Sequence, residues 1–251
     1  MIRFVKLSKT YGKLVAIDNL DFEIEAGEVF GFLGPNGAGK TTTIRMMTGL
    51  LAPTSGTVLL GGHDIGREPE AAKALIGYVP DQPFLYDKLT GLEFLRFVGG
   101  LYAVERSDLE RRGSDLLEEF ELVERANELI ETYSHGMKQR LALAVALVHR
   151  PKILVLDEPM VAMDPQGALA LRRLLAGLAA GGVTIFLSTH SLGVAEELCD
   201  RIGILDRGRM IAIGSLQQLR AHACGQAAGD QYEASLEAVF LSLTGTGGQE
   251  G

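Results

Sequence analysis

This chain of 251 residues has few cysteines, no net positive charge and few long apolar runs. Its two cysteines, Cys199 and Cys224, have no metal-ligand spacing around them, so we expect two reduced thiols in a cytosolic protein. Lys and Arg number 24 against 32 Asp and Glu, which gives a net charge of −8. Because proteins bind DNA and RNA largely through the phosphates, this negative charge disfavours nucleic acid as a partner.

The chain also lacks an apolar run that could cross a bilayer. The longest helical run, residues 141–148, is far shorter than the roughly 20 residues needed to span one. The first ten residues alternate apolar and polar side chains and lack the apolar centre of a signal peptide. If this protein serves a membrane, we therefore expect another chain to cross it.

Glycine, in contrast, is plentiful, and one glycine-rich run has the pattern of a phosphate-binding loop. An apolar segment, residues 29–33, is followed by Gly34, Pro35, Asn36, Gly37, Ala38, Gly39, Lys40, Thr41 and Thr42. Glycines allow successive N–H groups to point into one concavity at the positive end of the following helix. We expect Lys40 to reach the β- and γ-phosphates and Thr41 to ligate the bridging Mg²⁺. The alternative is a chance match, but these offsets and flanks favour a nucleoside triphosphate site.

Three further polar residues follow apolar runs and predict the rest of the chemistry. Asp157 and Glu158 follow residues 153–156, and His190 follows residues 184–189. In an open α/β sheet, ligands gather at the carboxyl ends of strands, so all three are expected beside the loop. Asp157 would help to hold Mg²⁺, Glu158 would polarise the attacking water, and His190 would contact the γ-phosphate. The alternatives are an acidic pair that caps a turn and a histidine with a purely structural role.

The order of the segments predicts an α/β fold. Strand-like alternation at residues 2–7, 15–24 and 57–60 predicts an antiparallel β layer near the N-terminus. Buried runs at residues 76–79, 153–156, 183–187 and 202–205 predict a mainly parallel sheet. Residues 87–150 interrupt this order with no convincing strand, and they are expected to form an inserted all-helical subdomain.

Capping signals locate several helix starts. Thr90 with Glu93, Ser107 with Glu110 and Ser215 with Gln218 have capping-box spacing, and Asp164 before Pro165 predicts another start. We expect a nucleotide-binding core over residues 1–86 and 151–220, and a helical subdomain over residues 87–150. Residues 221–251 are expected to form a linker, a short helix around residues 236–243 and a disordered tail.

With these elements in order, residues 1 to about 220 closely resemble the ATP-binding cassette (ABC) family of transporter ATPases. This resemblance implies a P-loop NTPase (RecA-like) core. The signature segment of that family, Leu-Ser-Gly-Gly-Gln, corresponds here to residues 133–137, in which Ser134 and Gly136 are retained. The resemblance implies that this segment faces the γ-phosphate held by a second cassette, so that a dimer has two shared sites. It also implies a D-loop at residues 161–164, a switch histidine at His190 and an adenine-stacking aromatic at Tyr11. Without the family, Tyr11 would be an ordinary aromatic at the end of a strand.

Two departures from the family pattern bear on the site. His135 and Met137 replace Gly and Gln in the signature, which puts their contacts with phosphate or ribose in doubt. At the Q-loop, Asp81 stands where glutamine is usual, with Gln82 one residue later. Either side chain is expected to approach Mg²⁺.

The resemblance implies an ATP-binding and ATP-hydrolysing subunit on the cytoplasmic face of the cell membrane. Its expected partners are transmembrane permease subunits and a second cassette, which is either a copy of this chain or a different one. Short sequence segments, such as residues 41–45 and 50–56, resemble those of the separate ATPase subunits of bacterial drug, bacitracin and lipid-type exporters. The alternatives are a soluble cassette ATPase without a transport role, and an ATP-binding switch that barely hydrolyses its nucleotide.

Overall fold

The computed structural model describes residues 1–160, 165–224 and 235–244, which form two β-sheets and a set of helices. The first sheet is fully antiparallel, with strands in the order β2-β1-β4-β5. These strands are β1 (Ile2–Tyr11), β2 (Leu14–Ile24), β4 (Ser55–Leu60) and β5 (His63–Asp64). The predicted antiparallel layer is confirmed, with the short β5 added to it.

The second sheet is mainly parallel, with strands in the order β10-β9-β3-β8-β7-β6. They are β3 (Val29–Leu33), β6 (Ile76–Val79), β7 (Ile153–Asp157), β8 (Thr184–Thr189), β9 (Arg201–Asp206) and β10 (Arg209–Gly214). Only β10 runs antiparallel to its neighbour. Because β3, β7 and β8 are adjacent and parallel, their carboxyl ends meet at one edge, as predicted.

Nine helices connect and cover these sheets within the described residues. They are α1 (Lys40–Met47), α2 (Pro69–Lys73), α3 (Gly91–Leu101), α4 (Arg106–Glu119), α5 (His135–Leu147), α6 (Pro165–Ala180), α7 (Leu192–Leu198), α8 (Leu216–Cys224) and α9 (Leu236–Thr244). Residues 87–150 contain α3, α4, α5 and two short 3-10 turns but no strand, so the inserted segment is helical as predicted. None of the helices in the described part of the chain is long and apolar enough to cross a bilayer.

Two of the predicted capping boxes are present. The Thr90 N–H donates to Glu93 Oε2 at 2.9 Å, and the Glu93 N–H donates to Thr90 Oγ1 at 3.2 Å. Ser215 and Gln218 make the same reciprocal pair, at 2.8 and 3.3 Å. Each box satisfies N–H groups that the first turn of its helix leaves without partners, and it therefore fixes where α3 and α8 begin.

The box predicted at Ser107 and Glu110 is wrong. Glu105 caps α4 instead, because its carboxylate accepts the N–H groups of Ser107 and Asp108 at 3.0 and 3.2 Å. Glu110 points elsewhere and pairs with Arg96 of α3, with Oε2 and Nη2 2.6 Å apart. The helix consequently begins before the predicted cap.

Phenylalanines fill the space between the two sheets. Phe4 of β1 stacks on Phe22 of β2 with ring centroids 4.4 Å apart, and Phe186 of β8 lies 5.9 Å from Phe30 of β3. A second apolar cluster joins the helical segment to the opposite face of the parallel sheet, through α5 and α6 among others. Both faces of this sheet are therefore covered, and its carboxyl edge is held firmly in position.

Candidate nucleotide site

The loop between β3 and α1 has the backbone form that a phosphate-binding loop requires. Gly39 adopts φ +113° and Gly37 φ +80°, a region that residues with a Cβ atom rarely adopt. A Cβ atom at Gly39 would lie 2.5 Å from Ile17 Cδ1, and one at Gly34 would lie 2.3 Å from the Leu205 carbonyl oxygen. Glycine is therefore needed at both positions for steric reasons, since the loop packs directly against β2 and β9.

The Lys40 ammonium lies inside this loop. Its Nζ donates to the carbonyl oxygens of Gly34 and Pro35 at 2.6 and 3.3 Å, and the side chain is buried. Burial lowers the pKa of Lys40, while the negative charges of Glu158 and Asp157 oppose that change. The predicted lysine and the predicted acidic pair therefore share one electrostatic environment.

Oxygen donors suitable for a magnesium ion lie next to the loop. Thr41 Oγ1 is 3.5 Å from Asp157 Oδ2, at the carboxyl end of β7. Asp157 is only 3% exposed, and burial raises its pKa, with the charges of Asp81 and Glu158 acting in the same direction. No group of three His, Cys, Asp or Glu side chains able to hold a metal occurs in the described residues. One carboxylate and one hydroxyl nevertheless fit Mg²⁺, which usually takes its remaining ligands from water and substrate phosphates.

Glu158 and His190 are in direct contact. Glu158 Oε2 lies 2.9 Å from His190 Nδ1, and the Glu158 N–H donates to the Ser188 carbonyl oxygen at 3.0 Å. Glu158 has φ +50°, an unusual conformation for a residue with a side chain. Strained backbone of this kind concentrates at functional sites, where the surrounding structure holds it in place. This turn directs the carboxylate from the end of β7 towards the end of β8.

The two Q-loop candidates occupy an exposed turn after β6. Asp81 Oδ1 accepts the Gln82 N–H at 2.8 Å, and no hydrogen bond of the Gln82 side-chain amide occurs in the described structure. Burial is the main cause that raises the pKa of Tyr78 to about 12, and the charges of Asp157 and Asp81 add to it. Asp81 is therefore electrostatically close to the acidic pair, while the Gln82 amide is left available for a ligand.

The signature residues lie away from the loop of their own chain. Ser134 caps α5 by accepting the Met137 N–H at 3.3 Å, and it is exposed, as is the space around Gly136. Within the described residues no hydrogen bond joins Ser134 to the phosphate-binding loop. Tyr11 is 47% exposed at the end of β1, with Lys9 Nζ 5.3 Å from its ring centroid. The structure thus brings the loop together with Asp157, Glu158, His190 and Asp81, whereas no contact in the described residues joins Tyr11, Gln82 or the signature to it.

One structural link was not foreseen from the sequence. Gln139, buried in α5, donates from Nε2 to the carbonyl oxygen of Pro159 at 3.4 Å, directly after the acidic pair. Its Oε1 has no hydrogen-bond partner in the described structure. The sequence signal that could have indicated this link is a glutamine on the otherwise apolar inner face of a helix. The predicted D-loop, residues 161–164, lies outside the described residues.

Comparison with known proteins identifies close relatives of the whole chain. The family model described as "ABC transporter" matches residues 17–161. The linearmycin resistance ATP-binding protein LnrL of Bacillus subtilis is 42% identical over 230 residues, which cover 92% of this chain and 73% of that protein. The daunorubicin resistance ATP-binding protein DrrA3 of Streptomyces coeruleorubidus is 39% identical over 86% of this chain and 69% of its own length.

Solved structures agree with these relatives. One described as the ATP-binding subunit of an ABC transporter superposes with a TM-score of 0.89 at 33% identity, over 97% of this chain and 99% of its own. The dimeric ATP-binding cassette MJ0796, in a post-hydrolysis state with ADP and Pi, gives a TM-score of 0.78 at 28% identity. That match covers 86% of this chain and 98% of the MJ0796 chain.

Proposed function

Since the chain belongs to the ABC transporter family, we propose that Lys40, Asp157 and Glu158 act together on one ATP molecule in this ATP-hydrolysing subunit. The observation that carries the proposal is the contact of Glu158 with His190 next to the buried Lys40 ammonium. The N–H groups of residues 34–42 bind the phosphates, Lys40 neutralises the β- and γ-phosphates, and Tyr11 stacks on the adenine. The fold, the family and the nucleotide chemistry of the relatives all support this arrangement.

Thr41 and Asp157 would hold Mg²⁺, with Asp81 or Gln82 approaching it from the Q-loop. The ion, when bound, offsets the negative charge of the phosphates. Asp157 is suited to this role because its carboxylate is buried and close to other negative charges, so a divalent cation stabilises its ionised form.

In the hydrolytic step, a water oxygen bonds to the γ-phosphorus while the bond from that phosphorus to the β,γ-bridging oxygen breaks. Glu158 accepts the proton of the water, and ADP and phosphate leave. His190 contacts the γ-phosphate and, through its contact with Glu158 Oε2, keeps the carboxylate oriented. The rigid turn at Glu158 supports this role because a general base must be positioned before it can act.

The far side of the ATP is completed by Ser134 and Gly136 of a second cassette. Ser134 supports this role because it lies at the exposed N-terminus of α5, where helix N–H groups and the helix dipole favour a phosphate. Closure of two cassettes around ATP, and their separation after hydrolysis, is the motion that drives transport.

We place the chain on the cytoplasmic face of the cell membrane, bound to transmembrane permease subunits. An exposed aromatic patch after the Q-loop supports this position: Phe84 is 88% exposed, and Tyr86 lies 5.6 Å from Phe97, centroid to centroid. Large exposed apolar patches are typical of protein interfaces. The relatives named for linearmycin and daunorubicin resistance favour export of an antibiotic-like cargo.

Glu158→Gln tests the proposal, since it keeps the shape of the side chain but removes its capacity to accept a proton. Steady-state ATPase activity should fall by roughly 10² to 10⁴-fold, while the affinity for ATP is unchanged. Glu70→Gln, on the exposed surface of α2, is the matched control and should hydrolyse ATP normally. Near-normal turnover by Glu158→Gln would show that another group is the base.

A further inference from the structure

A second cavity lies on the edge of the parallel sheet opposite the nucleotide site. It has a volume of about 270 Å³ and opens where α4, the end of α5 and the turn between α6 and β8 meet. Lys152 directly precedes β7 and Val183 directly precedes β8, so the cavity is at the amino ends of these strands. Its lining residues are Arg112, Leu147, Arg150, Pro151, Lys152, Leu178, Gly181, Gly182 and Val183.

Three of the lining side chains are cationic and none is acidic, in a chain whose net charge is −8. Arg112 Nε and Nη2 both donate to the Leu147 carbonyl oxygen, at 3.3 and 3.1 Å. In the described structure neither Arg112 nor Lys152 forms an ion pair with a carboxylate. Only Arg150 has such a partner, Asp108 at 3.0 Å, which also pairs with Arg111. The cavity is therefore lined by positive charge without a carboxylate in its wall, and two of its three cations have no directly paired carboxylate in the described structure.

The positive charge of Arg112 is partly desolvated and lies near a second cation. Burial lowers the pKa of Arg112, and the nearby positive charge of Arg150 lowers it further, although Glu119, Asp108 and Asp115 act in the opposite direction. Arginine stays protonated in proteins, so the cost of desolvation remains until an anion compensates it.

The turn after α5 brings Arg150 close to Arg112. The Arg150 N–H donates to the Leu147 carbonyl oxygen at 3.1 Å, and the Arg112 guanidinium donates to the same oxygen. Two of the three cations are thereby brought together at one carbonyl oxygen in the wall of the cavity.

We propose that this basic cavity binds a small phosphate-bearing anion. Guanidinium groups match phosphate oxygens with paired N–H donors, and three cations in the wall of one cavity suit a dianion better than a single carboxylate. The volume is just below the usual range for small-molecule sites, about 300 to 1,000 Å³, and it therefore fits phosphate or a small phosphomonoester. The bound anion would join α4 of the helical segment to the core strands.

Titration calorimetry with inorganic phosphate tests this site on the full chain. The nucleotide site must first be saturated with Mg²⁺ and a non-hydrolysable ATP analogue, because the loop at residues 34–42 also binds phosphate. Wild type should then bind one phosphate, and Arg112→Gln and Lys152→Gln should each weaken binding by about tenfold or more. Arg111→Gln removes the neighbouring cation that does not line the cavity, and it should keep the affinity within about twofold.

Thermal unfolding of each variant separates lost binding from lost structure. Arg112→Gln removes a hydrogen bond to the end of α5, whereas Lys152 is exposed and its replacement should leave the melting temperature unchanged. The proposal is overturned if wild type binds no phosphate, or if a variant that combines Arg112→Gln with Lys152→Gln binds it equally well. If acetate binds as tightly as phosphate, the claim that the ligand bears a phosphate group is overturned. If phosphatidic acid in phosphatidylcholine vesicles displaces phosphate, the claim that the ligand is a free anion is overturned.

Discussion

At the scale of single residues, the buried carboxylate of Asp157 lowers the stability of the fold at neutral pH. Its pKa is raised mainly by burial, so between the ordinary carboxyl value of about 4 and the raised value the folded chain binds more protons than the unfolded chain. The contribution of Asp157 to stability is therefore most favourable at acid pH, and it declines as pH rises through this window.

Asp157→Asn should consequently raise the melting temperature of the chain at neutral pH, in the absence of nucleotide and Mg²⁺. The gain should disappear as pH falls below the ordinary carboxyl value, because wild type is then protonated in both states. Thermal unfolding at a series of pH values measures the difference. Asp115→Asn, on the exposed surface of α4, is the control, and an equal gain there would contradict the explanation.

The sequence located most of the candidate residues but not how they are held. Glycine, lysine and threonine at fixed offsets predicted the loop, because few other structures need that spacing. The left-handed turn at Glu158 and the bond from Gln139 to Pro159 were not predictable. Both depend on contacts between segments about 20 residues or more apart, since Glu158 is fixed by Ser188.

At the scale of elements, α5 is the rigid connection between the signature and the parallel sheet. It is capped by Ser134 and passes so close to β6 that a Cβ atom at Gly77 would lie 2.3 Å from the Ala146 carbonyl oxygen. The helical apolar run at residues 141–148 was evident in the sequence, but the sequence carried no sign of this close approach. The capping-box spacing of Ser107 and Glu110 also predicted the wrong start for α4, because Glu105 caps this helix.

Gly77→Ala should force α5 away from the sheet. Overpacking of this kind typically costs 1–3 kcal/mol, which corresponds to a fall of roughly 2 to 10 °C in melting temperature for a chain of this size. Gly100→Ala is the matched control, since its added methyl group meets nothing within 4 Å in α3. It should stabilise the chain by up to about 1 kcal/mol. Calorimetry or circular dichroism gives both values, and equal effects would argue against the steric reason.

At the scale of the whole molecule, the proposal requires that the signature of a second cassette completes the site. Ser134 has no hydrogen bond with the loop of its own chain within the described residues, and it is exposed and caps its helix. The sequence alone could not establish this, because it follows from how the helical segment packs on the core. The related cassette MJ0796, with ADP and Pi, is dimeric.

The Glu158→Gln variant should therefore form a stable dimer in the presence of ATP. Light scattering should detect this dimer at twice the monomer mass. Adding Ser134→Asp should abolish that dimer, because aspartate keeps the helix cap but places a negative charge against the partner's γ-phosphate. Ser134→Asn preserves the cap without the charge and should retain most of the dimer. A dimer that survives Ser134→Asp, or none with Glu158→Gln alone, would contradict two-site pairing of this chain with itself.

The hydrogen bonds of Lys40 to Gly34 and Pro35 have a consequence for the exchange of nucleotide. The ammonium has carbonyl oxygens of its own loop as acceptors, so the side chain stabilises the loop from within. If Lys40 binds phosphate as proposed, departure of ADP exchanges one set of oxygen acceptors for another and does not leave a bare cation behind. On that proposal the loop keeps its shape through every turnover, and the next ATP meets a receptor that is already organised.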